Sequence, residues 1–290
     1  MAADVWASGP SGSYHFNGTW TQFFIGSNSV PLNAIRGISR TNIVGVGDNG
    51  LITHYDGSRW NTDVLKGTDP TLSLYSVGGS GPDDLWAGGT DRFMRYDGAS
   101  WTNVPFVIPA PVNPINYRGL WLYQRAQGFA CSDAYSVISQ LNAGTWSKRS
   151  TSGSNHELFD MWGSDLAHAW AVGHGHDLTV GAPAKIMKWD GTTWTDDSTV
   201  PASLPVLRAV WGTDATHVWA VGDNGTILFF DGSTWMSRFS GTSDNLNAIW
   251  GSGPRDIWVA GSGGARHFNG TAWSAVGAVG ALTTIWLSAD

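Results

Sequence analysis

The sequence has little charge, one cysteine and no long apolar run. Charged residues make up 13% of the 290-residue chain, against roughly 25% in an average globular protein. The single cysteine, Cys131, excludes an internal disulfide framework and any metal site built from several cysteines, and we expect it to be a small buried apolar residue. No apolar stretch approaches the roughly 18 residues that a spanning helix requires, so no transmembrane segment is expected.

Basic runs are also missing, and the net charge is −7. Because a nucleic-acid partner requires a cationic surface, the sequence argues against one. The chain begins Met1-Ala2-Ala3-Asp4 without a visible signal peptide. A composition poor in lysine and rich in glycine, serine, threonine, asparagine and tryptophan favours an extracellular or periplasmic protein whose export signal has been removed. A cytoplasmic location is the alternative.

Glycine (38 residues) and tryptophan (18 residues) are abundant, and they fall into a repeating pattern. The segment from Leu207 to Trp235 contains three short apolar stretches and the start of a fourth, separated by Asp223-Asn224-Gly225 and Asp231-Gly232. Asn-Gly and Asp-Gly are strong hairpin signals, because type I′ turns require positive φ at both central residues. The segment is therefore predicted to be an antiparallel meander.

This meander repeats seven times along the chain. The tryptophan that closes its last turn recurs at Trp20, Trp60, Trp101, Trp146, Trp194, Trp235 and Trp273. The first strand recurs at Leu32–Gly37, Leu74–Gly79, Tyr117–Leu122, Leu158–Gly163, Leu207–Gly212, Leu246–Gly251 and Leu282–Leu287. Four strands in a period of about 40–45 residues are typical of β-propellers. Residues 1–290 are therefore predicted to form one all-β domain, a seven-bladed propeller of four-stranded antiparallel blades.

The two ends of the chain do not coincide with the ends of a repeat. The chain starts at a second strand, Asp4–Ser8, and finishes on a first strand, Leu282–Leu287. We expect the last strand to pair with the three N-terminal strands, because this closes the ring and removes exposed sheet edges. Blades are numbered here by their first strands in the order above, so blade 7 contains both chain ends.

The turn segments resemble those of known propellers. Tyr55–Trp60, Tyr96–Trp101, Trp189–Trp194 and Phe230–Trp235 resemble the Asp-box (BNR) turn of bacterial propellers, although that turn has a residue between Asp and Gly. His217–Ile227 resembles tectonin-type repeats. Tectonin-type propellers are often lectins, and Asp-box propellers include glycosidases and binding proteins. The resemblance therefore implies a glycan-related role.

Residues that recur in every blade are expected to be structural. The repeated tryptophans of the first and second strands would pack between neighbouring sheets. Asp56, Asp97, Asp190 and Asp231 precede glycine in the same turn, where an aspartate side chain accepts backbone hydrogen bonds. Functional residues are instead expected where the repeat is broken.

Blade 4 breaks the repeat most. Its entry loop carries His156 and Glu157, the only glutamate of the chain, and its loop between second and third strands carries His174, His176 and Asp177. Both loops should lie on one face of the blade. Imidazole and carboxylate groups are metal ligands and also acid–base groups. His174, His176 and Glu157 are candidate ligands for a divalent metal, and an ordinary solvated loop is the alternative.

Three further features stand apart from the repeat. Blade 3 is entered by a long, apolar, proline-rich loop, Pro105–Asn116, which is a candidate channel roof, pocket wall or protein contact. A loop packed against its own blade is the alternative. Arg36 replaces the first-strand tryptophan of blade 1, and Tyr117 and Arg118 open the first strand of blade 3. A guanidinium in a propeller channel can clamp a carboxylate, or it can extend towards solvent.

Together these features predict a secreted binding protein that is carbohydrate-binding, with loops on one face or clefts between blades as the binding surface. The first alternative is an enzyme, a hydrolase or lyase with one site on blade 4, for which no nucleophile elbow, phosphate loop or HExxH motif is present. The second alternative is a protein-interaction scaffold. Ligand contacts are expected from His156, Glu157, His174, His176, Asp177, Arg36, Tyr117 and Arg118.

Overall fold

A closed ring of seven antiparallel sheets is present in the computed structural model. The structure describes residues 4–25, 31–63, 72–104, 106, 114–134, 136–149, 151–152, 156–175, 183–277 and 279–288. Within these ranges, no helix has the length and apolar character needed to cross a membrane.

The strands of the first three blades and of the N-terminal segment are β1 (Val5–Gly9), β2 (Gly12–Phe16), β3 (Trp20–Phe23), β4 (Ala34–Ser39), β5 (Asn42–Val46), β6 (Ile52–Tyr55), β7 (Trp60–Asp63), β8 (Leu74–Gly81), β9 (Asp84–Gly89), β10 (Arg92–Tyr96), β11 (Trp101–Val104), β12 (Tyr117–Gln124), β13 (Gln127–Ser132), β14 (Ile138–Asn142) and β15 (Thr145–Arg149). The remaining strands are β16 (Thr151–Ser152), β17 (His156–Asp165), β18 (His168–Gly175), β19 (Ala184–Trp189), β20 (Trp194–Asp196), β21 (Leu207–Asp214), β22 (His217–Gly222), β23 (Ile227–Phe230), β24 (Trp235–Arg238), β25 (Leu246–Gly253), β26 (Asp256–Gly261), β27 (Gly264–Phe268), β28 (Trp273–Ala275) and β29 (Thr284–Leu287). A 3₁₀ turn, Asp223–Gly225, separates β22 from β23.

The seven-bladed architecture is confirmed. Blades 1 to 6 begin with the inner strands β4, β8, β12, β17, β21 and β25, and each inner strand contacts the next. Strand β29 lies between β25 and β4 and completes the ring. Blade 4 departs from the four-stranded pattern, because β16 pairs in parallel with its outer strand β20 and makes a fifth strand.

The two ends of the chain close the ring as predicted. Strand β29 pairs antiparallel with β1, with Val5 opposite Leu287 and Ser8 opposite Thr284. Blade 7 is therefore assembled in the order β29-β1-β2-β3. The sheet buries both partners, since Val5 is 0% exposed and Leu287 is 2% exposed. The inner strand of blade 7 is therefore paired with the N-terminal strand.

The repeated aromatic residues pack between neighbouring blades. The second-strand tryptophan of one blade contacts the aromatic residues that flank the Asp-Gly turn of the next. Trp6 lies 5.6 Å from Trp60, and Trp170 lies 5.7 Å from Phe230, as ring-centroid distances. Trp170 is fully buried. Packing between blades therefore accounts for these tryptophans, as predicted, and Cys131 is also fully buried.

The repeated aspartates hold their turns together. Asp56 Oδ1 accepts hydrogen bonds from the backbone N–H groups of Ser58 (2.9 Å) and Arg59 (3.0 Å), and equivalent bonds form at the other three turns. These hydrogen bonds favour the ionised carboxylate and lower the pKa of Asp190 and of Asp231 to about 2. The predicted structural role of these aspartates is confirmed.

A glycine at or near the end of the second strand is required by the space around it. A Cβ atom at Gly222 would lie 2.0 Å from the carbonyl oxygen of Val206, and one at Gly173 would lie 1.8 Å from that of Glu157. The backbone of the inner strand passes directly over these glycines. Because the obstructing atoms belong to backbone rather than to flexible side chains, a larger residue forces the two strands apart.

Gly222→Ala is therefore expected to lower the free energy of unfolding by about 2 kcal/mol or more, at the upper end of what overpacking costs. The measurement is a denaturant titration followed by tryptophan fluorescence. Gly253→Ala is the matched control, because a Cβ there meets nothing within 4 Å. Equal midpoints for the two variants would show that the strands yield without cost.

Candidate functional site

An irregularity shared by the inner strands builds the site. In five blades the pairing register skips the residue that follows the opening Leu or Tyr of the repeat. Such a bulge leaves one residue unpaired and re-aims its side chain. Asn33 and Thr283 occupy the same place in blades 1 and 7, directly before β4 and β29. Side chains at this position line a cavity on the ring axis, and we call them the mouth ring: Asn33, Tyr75, Arg118, Phe159, Arg208, Asn247 and Thr283.

The cavity is the central channel of the propeller, with a volume of about 590 Å³. Small-ligand pockets range from about 300 to 1,000 Å³, so the channel can hold one end of a ligand. Below the mouth ring its wall is largely apolar and includes Ile35, Val77, Leu120, Met161, Val210, Ile249 and Ile285. Deeper still it is lined by Arg36, Gly78, Trp121, Trp162 and Trp250.

The two arginines of the mouth ring are held by carboxylates. Arg118 Nε donates to Asp133 Oδ2 at 2.8 Å, and its guanidinium lies 4.0 Å above the ring of Tyr75. Arg208 makes a two-pronged contact with Asp223, with Nη2 3.0 Å from Oδ2. Both aspartates lie in loops between second and third strands. These loops therefore lie on the same face of the propeller as the mouth ring.

Arg36 lies deeper and is placed differently. Its guanidinium carbon is 4.0 Å above the ring of Trp250, inside the channel. Burial lowers the pKa of Arg36 to about 10, with the charge of Asp160 acting in the opposite direction. The side chain therefore remains charged at neutral pH. Of the two arrangements open from sequence, the structure shows a guanidinium that lines the channel.

Asp160, on the inner strand of blade 4, lines the same cavity. Its two carboxylate oxygens accept hydrogen bonds from the backbone N–H groups of Met161 (2.8 Å) and Val210 (3.0 Å), so it ties blade 4 to blade 5. Burial raises the pKa of Asp160 to about 7, and these two bonds and the charge of Arg36 only partly oppose the rise. The carboxyl group therefore changes charge near neutral pH.

Tyr117 lies outside this site. It is fully buried between blades 2 and 3, where its ring lies 4.3 Å from that of Phe93 and its hydroxyl is 3.3 Å from Ser139 Oγ. Successive residues of a strand point to opposite sides, so Tyr117 faces the core while Arg118 faces the channel. The structure does not bring Tyr117 together with Arg118 as a ligand contact.

On blade 4 the structure separates His156 from its neighbour Glu157. His156 is fully buried, and its Nε2 lies 2.7 Å from Asp196 Oδ1. Glu157 pairs across the sheet with His174, with His174 Nε2 3.3 Å from Glu157 Oε2. The ring of Phe159 lies 5.5 Å from that of His174 and links this pair to the mouth ring.

The Glu157–His174 pair can pass a proton or offer two metal donors. Among the described residues, no group of three or more His, Cys, Asp or Glu side chains is arranged to hold a metal ion. His176 and Asp177 lie outside the described residues. A metal-assisted or acid–base site on blade 4 therefore stays a prediction, with Glu157 and His174 as the members that the structure brings together.

Another concave surface lies at the rim, between blades 7 and 1. It is a cleft of about 470 Å³, and we call it the aromatic cleft: Trp6, His15, Thr21, Phe23, Phe24, Tyr55, Ser58, Arg59 and Trp60. The rings of Phe23 and Trp60 are stacked 5.0 Å apart. Phe24 is 56% exposed at its edge. The cleft thus combines aromatic surface with a polar rim.

The proline-rich loop Pro105–Asn116 lies largely outside the described residues, which include only Phe106 and residues 114–116. Phe106 packs near Phe93 and Tyr117, with ring centroids 5.5 and 5.9 Å away. Ile115 is 2% exposed. The described part of the loop is therefore packed against its own blade and the preceding one.

Reasoning from sequence missed Tyr75, Phe159, Arg208, Asn247 and Asp160 as channel residues. A signal for them is visible in the inner strands themselves. The residue directly after the opening Leu or Tyr varies between blades. The residue two places further along the same strand is always Ile, Val, Leu or Met. A position that varies among otherwise uniform repeats marks a surface that the fold does not dictate.

No protein-family model and no curated protein sequence matches the chain. Among solved structures, it is similar to YCF48 bound to a D1 peptide (18% identity, TM-score 0.62, covering 83% of this chain and 80% of that one). It is also similar to a protein from Lactobacillus plantarum (12% identity, TM-score 0.71, 99% of each chain) and to the GH74 xyloglucanase from Xanthomonas campestris (13% identity, TM-score 0.73). The match to the xyloglucanase covers 98% of this chain and 52% of the xyloglucanase chain. These likenesses show that the chain shares the β-propeller fold with proteins of several functions.

Proposed function

We propose that this propeller is a binding protein whose partner is a polypeptide segment held at the mouth ring. The observation that carries the proposal is that one position of the inner strand has different kinds of side chain in different blades. Seven inner strands of near-uniform sequence place amide, aromatic, cationic and hydroxyl side chains at the same place around one channel. Since the fold does not require this variety, ligand recognition is its best explanation.

The chemistry of the mouth ring favours a polypeptide. Tyrosine, phenylalanine and arginine are enriched at protein interfaces, and tyrosine and arginine are frequent hot spots. Arg118 and Arg208 are oriented by Asp133 and Asp223, so they present fixed N–H donors without ordering cost on binding. The YCF48 structure, in which a propeller of similar shape is bound to a peptide, adds support.

Peptides that bind the full chain would be selected from a displayed random library. These peptides are expected to bind the Arg208→Ala and Phe159→Ala variants at least tenfold more weakly than the unaltered protein. The reason is that a hot-spot side chain contributes about 2 kcal/mol or more to the binding free energy. Dissociation constants would be measured by calorimetry. Arg125→Ala is the matched control. Arg125 also pairs with an aspartate, Asp83 at 2.8 Å, but at the end of β12 far from the mouth ring.

Peptides that bind both mouth variants as tightly as the unaltered protein would contradict this proposal. So would a library from which no peptide is enriched.

A sugar panel titrated against the same sample tests the second candidate function, carbohydrate binding by a secreted lectin-like protein. The aromatic cleft favours that function, because aromatic walls beside Thr21, Ser58 and Arg59 suit a ligand with apolar faces and hydroxyl groups.

A further inference from the structure

Arg36 is a channel cation without an ion-pair partner among the described residues. Among the described residues, no carboxylate lies within ion-pair distance of its guanidinium, and its shielded Nε has no hydrogen-bond partner. The other two arginines of the channel, Arg118 and Arg208, each have an aspartate partner. Asp160 lines the same cavity, and its charge favours the charged form of Arg36, but the two side chains make no ion pair. The two carboxylate oxygens of Asp160 instead accept hydrogen bonds from the backbone N–H groups of Met161 and Val210.

The surroundings of Arg36 are apolar. Its guanidinium lies on Trp250, and Trp121 and Trp162 line the same part of the channel. A charge held among apolar groups is costly unless it is paired and hydrogen-bonded. The fold itself does not require a cation there, since blades 3 to 7 place tryptophan at the equivalent position.

The neighbouring blade provides the room for a ligand. At this same position blade 2 has Gly78, which also lines the cavity. Two adjacent blades therefore lack the tryptophan that fills this level of the ring elsewhere. The result is a space next to Arg36, walled by indole and aliphatic groups, that opens towards the mouth ring through the apolar middle of the channel.

We propose that Arg36 is the anchor of a carboxylate-binding subsite inside the channel, for a ligand whose carboxylate is attached to an apolar or aromatic group. Arginine presents parallel N–H donors that match a carboxylate in a two-pronged contact. The proposal deepens the proposed function, on which it rests for the entry of the ligand through the mouth ring. The carboxylate has two possible sources, the terminus of a bound polypeptide and a free small acid.

The test uses 4-fluorobenzoate and 4-fluorobenzamide as matched probes of the full chain, followed by ¹⁹F NMR at neutral pH. The benzoate is expected to bind saturably at one site per chain. The benzamide, which has the same shape without the charge, is expected to bind at least tenfold more weakly. The Arg36→Met variant should bind benzoate at least tenfold more weakly than the unaltered protein. The Arg125→Met variant, which lacks a distant arginine, should bind benzoate as the unaltered protein does.

Arg36→Met should not lower the unfolding midpoint, because it removes an unpaired charge from an apolar site. If that variant nevertheless fails to fold, the ¹⁵N signal of Arg36 Nε in the unaltered protein decides the matter, since benzoate should shift it and benzamide should not. Equal binding of the two probes, or benzoate binding that survives in folded Arg36→Met, would overturn the subsite.

A third comparison distinguishes a polypeptide terminus from a free small acid as the source of the carboxylate. It also tests the subsite separately from the proposed polypeptide-binding function. Library peptides would be tested with a free and with an amidated C-terminus. A preference for the free acid that is lost in Arg36→Met assigns the subsite to a polypeptide terminus. Benzoate binding that depends on Arg36, without any bound peptide, supports the subsite for a free acid and contradicts the proposed polypeptide function.

Discussion

A chain that ends at Ala281 is expected to lose cooperative folding. The missing segment includes β29, whose side chains fill the inner edge of blade 7. Leu282, Ile285, Trp286 and Leu287 are each at most 5% exposed. Burial of one such side chain is worth about 1.5–3 kcal/mol, so the four together contribute roughly 6–12 kcal/mol. That sum is comparable to the entire net stability of a typical domain, about 5–15 kcal/mol.

The loss would not be confined to blade 7. Trp286 packs against Gly37 of blade 1, where a Cβ atom would meet its ring at 2.2 Å. Without β29 the strand β1 becomes an exposed edge, and the truncated chain should aggregate or pair with a second copy. Circular dichroism during heating would measure the transition.

Two comparisons make this expectation specific to ring closure. A chain that ends at Ser288 keeps all of β29 and should unfold like the full chain. A synthetic peptide with the sequence of residues 279–290 should restore a cooperative transition when added to the truncated chain. A truncated chain that melts within a few degrees of the full one would show that ring closure contributes little.

The architecture was predictable from sequence because its signals are local and repeated. Asp-Gly and Asn-Gly turns fix hairpins, and alternating apolar residues fix the strands between them. The recurrence of Trp235 and its equivalents gives the blade count. The mismatch between the two chain ends then implies closure, and the pairing of β1 with β29 confirms it.

The channel site was only partly predictable, because a bulge rather than a motif creates it. Arg36 and Arg118 were recognised as departures from the repeat, and both line the channel. Phe159 and Arg208 were not, since a single apolar or basic residue in a short strand does not reveal the skipped register that turns it inward. Only a comparison of the same position in all seven blades makes it stand out. Strand alternation likewise separates His156 from Glu157, although both stand together in the sequence.

Asp160 should make the stability of the protein depend on pH in an unusual direction. Its pKa is about 7 in the folded chain and about 3.9 in an unfolded one. Between these values the folded state binds more protons than the unfolded state. Stability from this group is therefore fully present below about pH 4 and is lost as pH rises through about 7. Three pKa units correspond to at most about 4 kcal/mol.

The exposed turn aspartates act in a separate pH window. Hydrogen bonds lower the pKa of Asp190 and Asp231 to about 2, so their contribution is present above the unfolded value and is lost as pH falls below about 4. Between pH 5 and 8 these carboxylates are ionised in both states and add no slope. Over that range Arg36 stays charged, and the thiol of Cys131, whose pKa burial raises, stays neutral.

Asp160→Asn is accordingly expected to remove a fall in stability between pH 5 and 8. At pH 5 the variant should be the less stable protein, because an amide has one oxygen and leaves Met161 or Val210 without an acceptor. At pH 8 the difference should shrink or reverse, since the variant no longer buries a carboxylate. Urea titrations at several pH values measure this, with Asp190→Asn as the control because the pKa of Asp190 is lowered rather than raised. Stability curves for Asp160→Asn and the unaltered chain that run parallel from pH 5 to 8 would show that Asp160 does not titrate in that range.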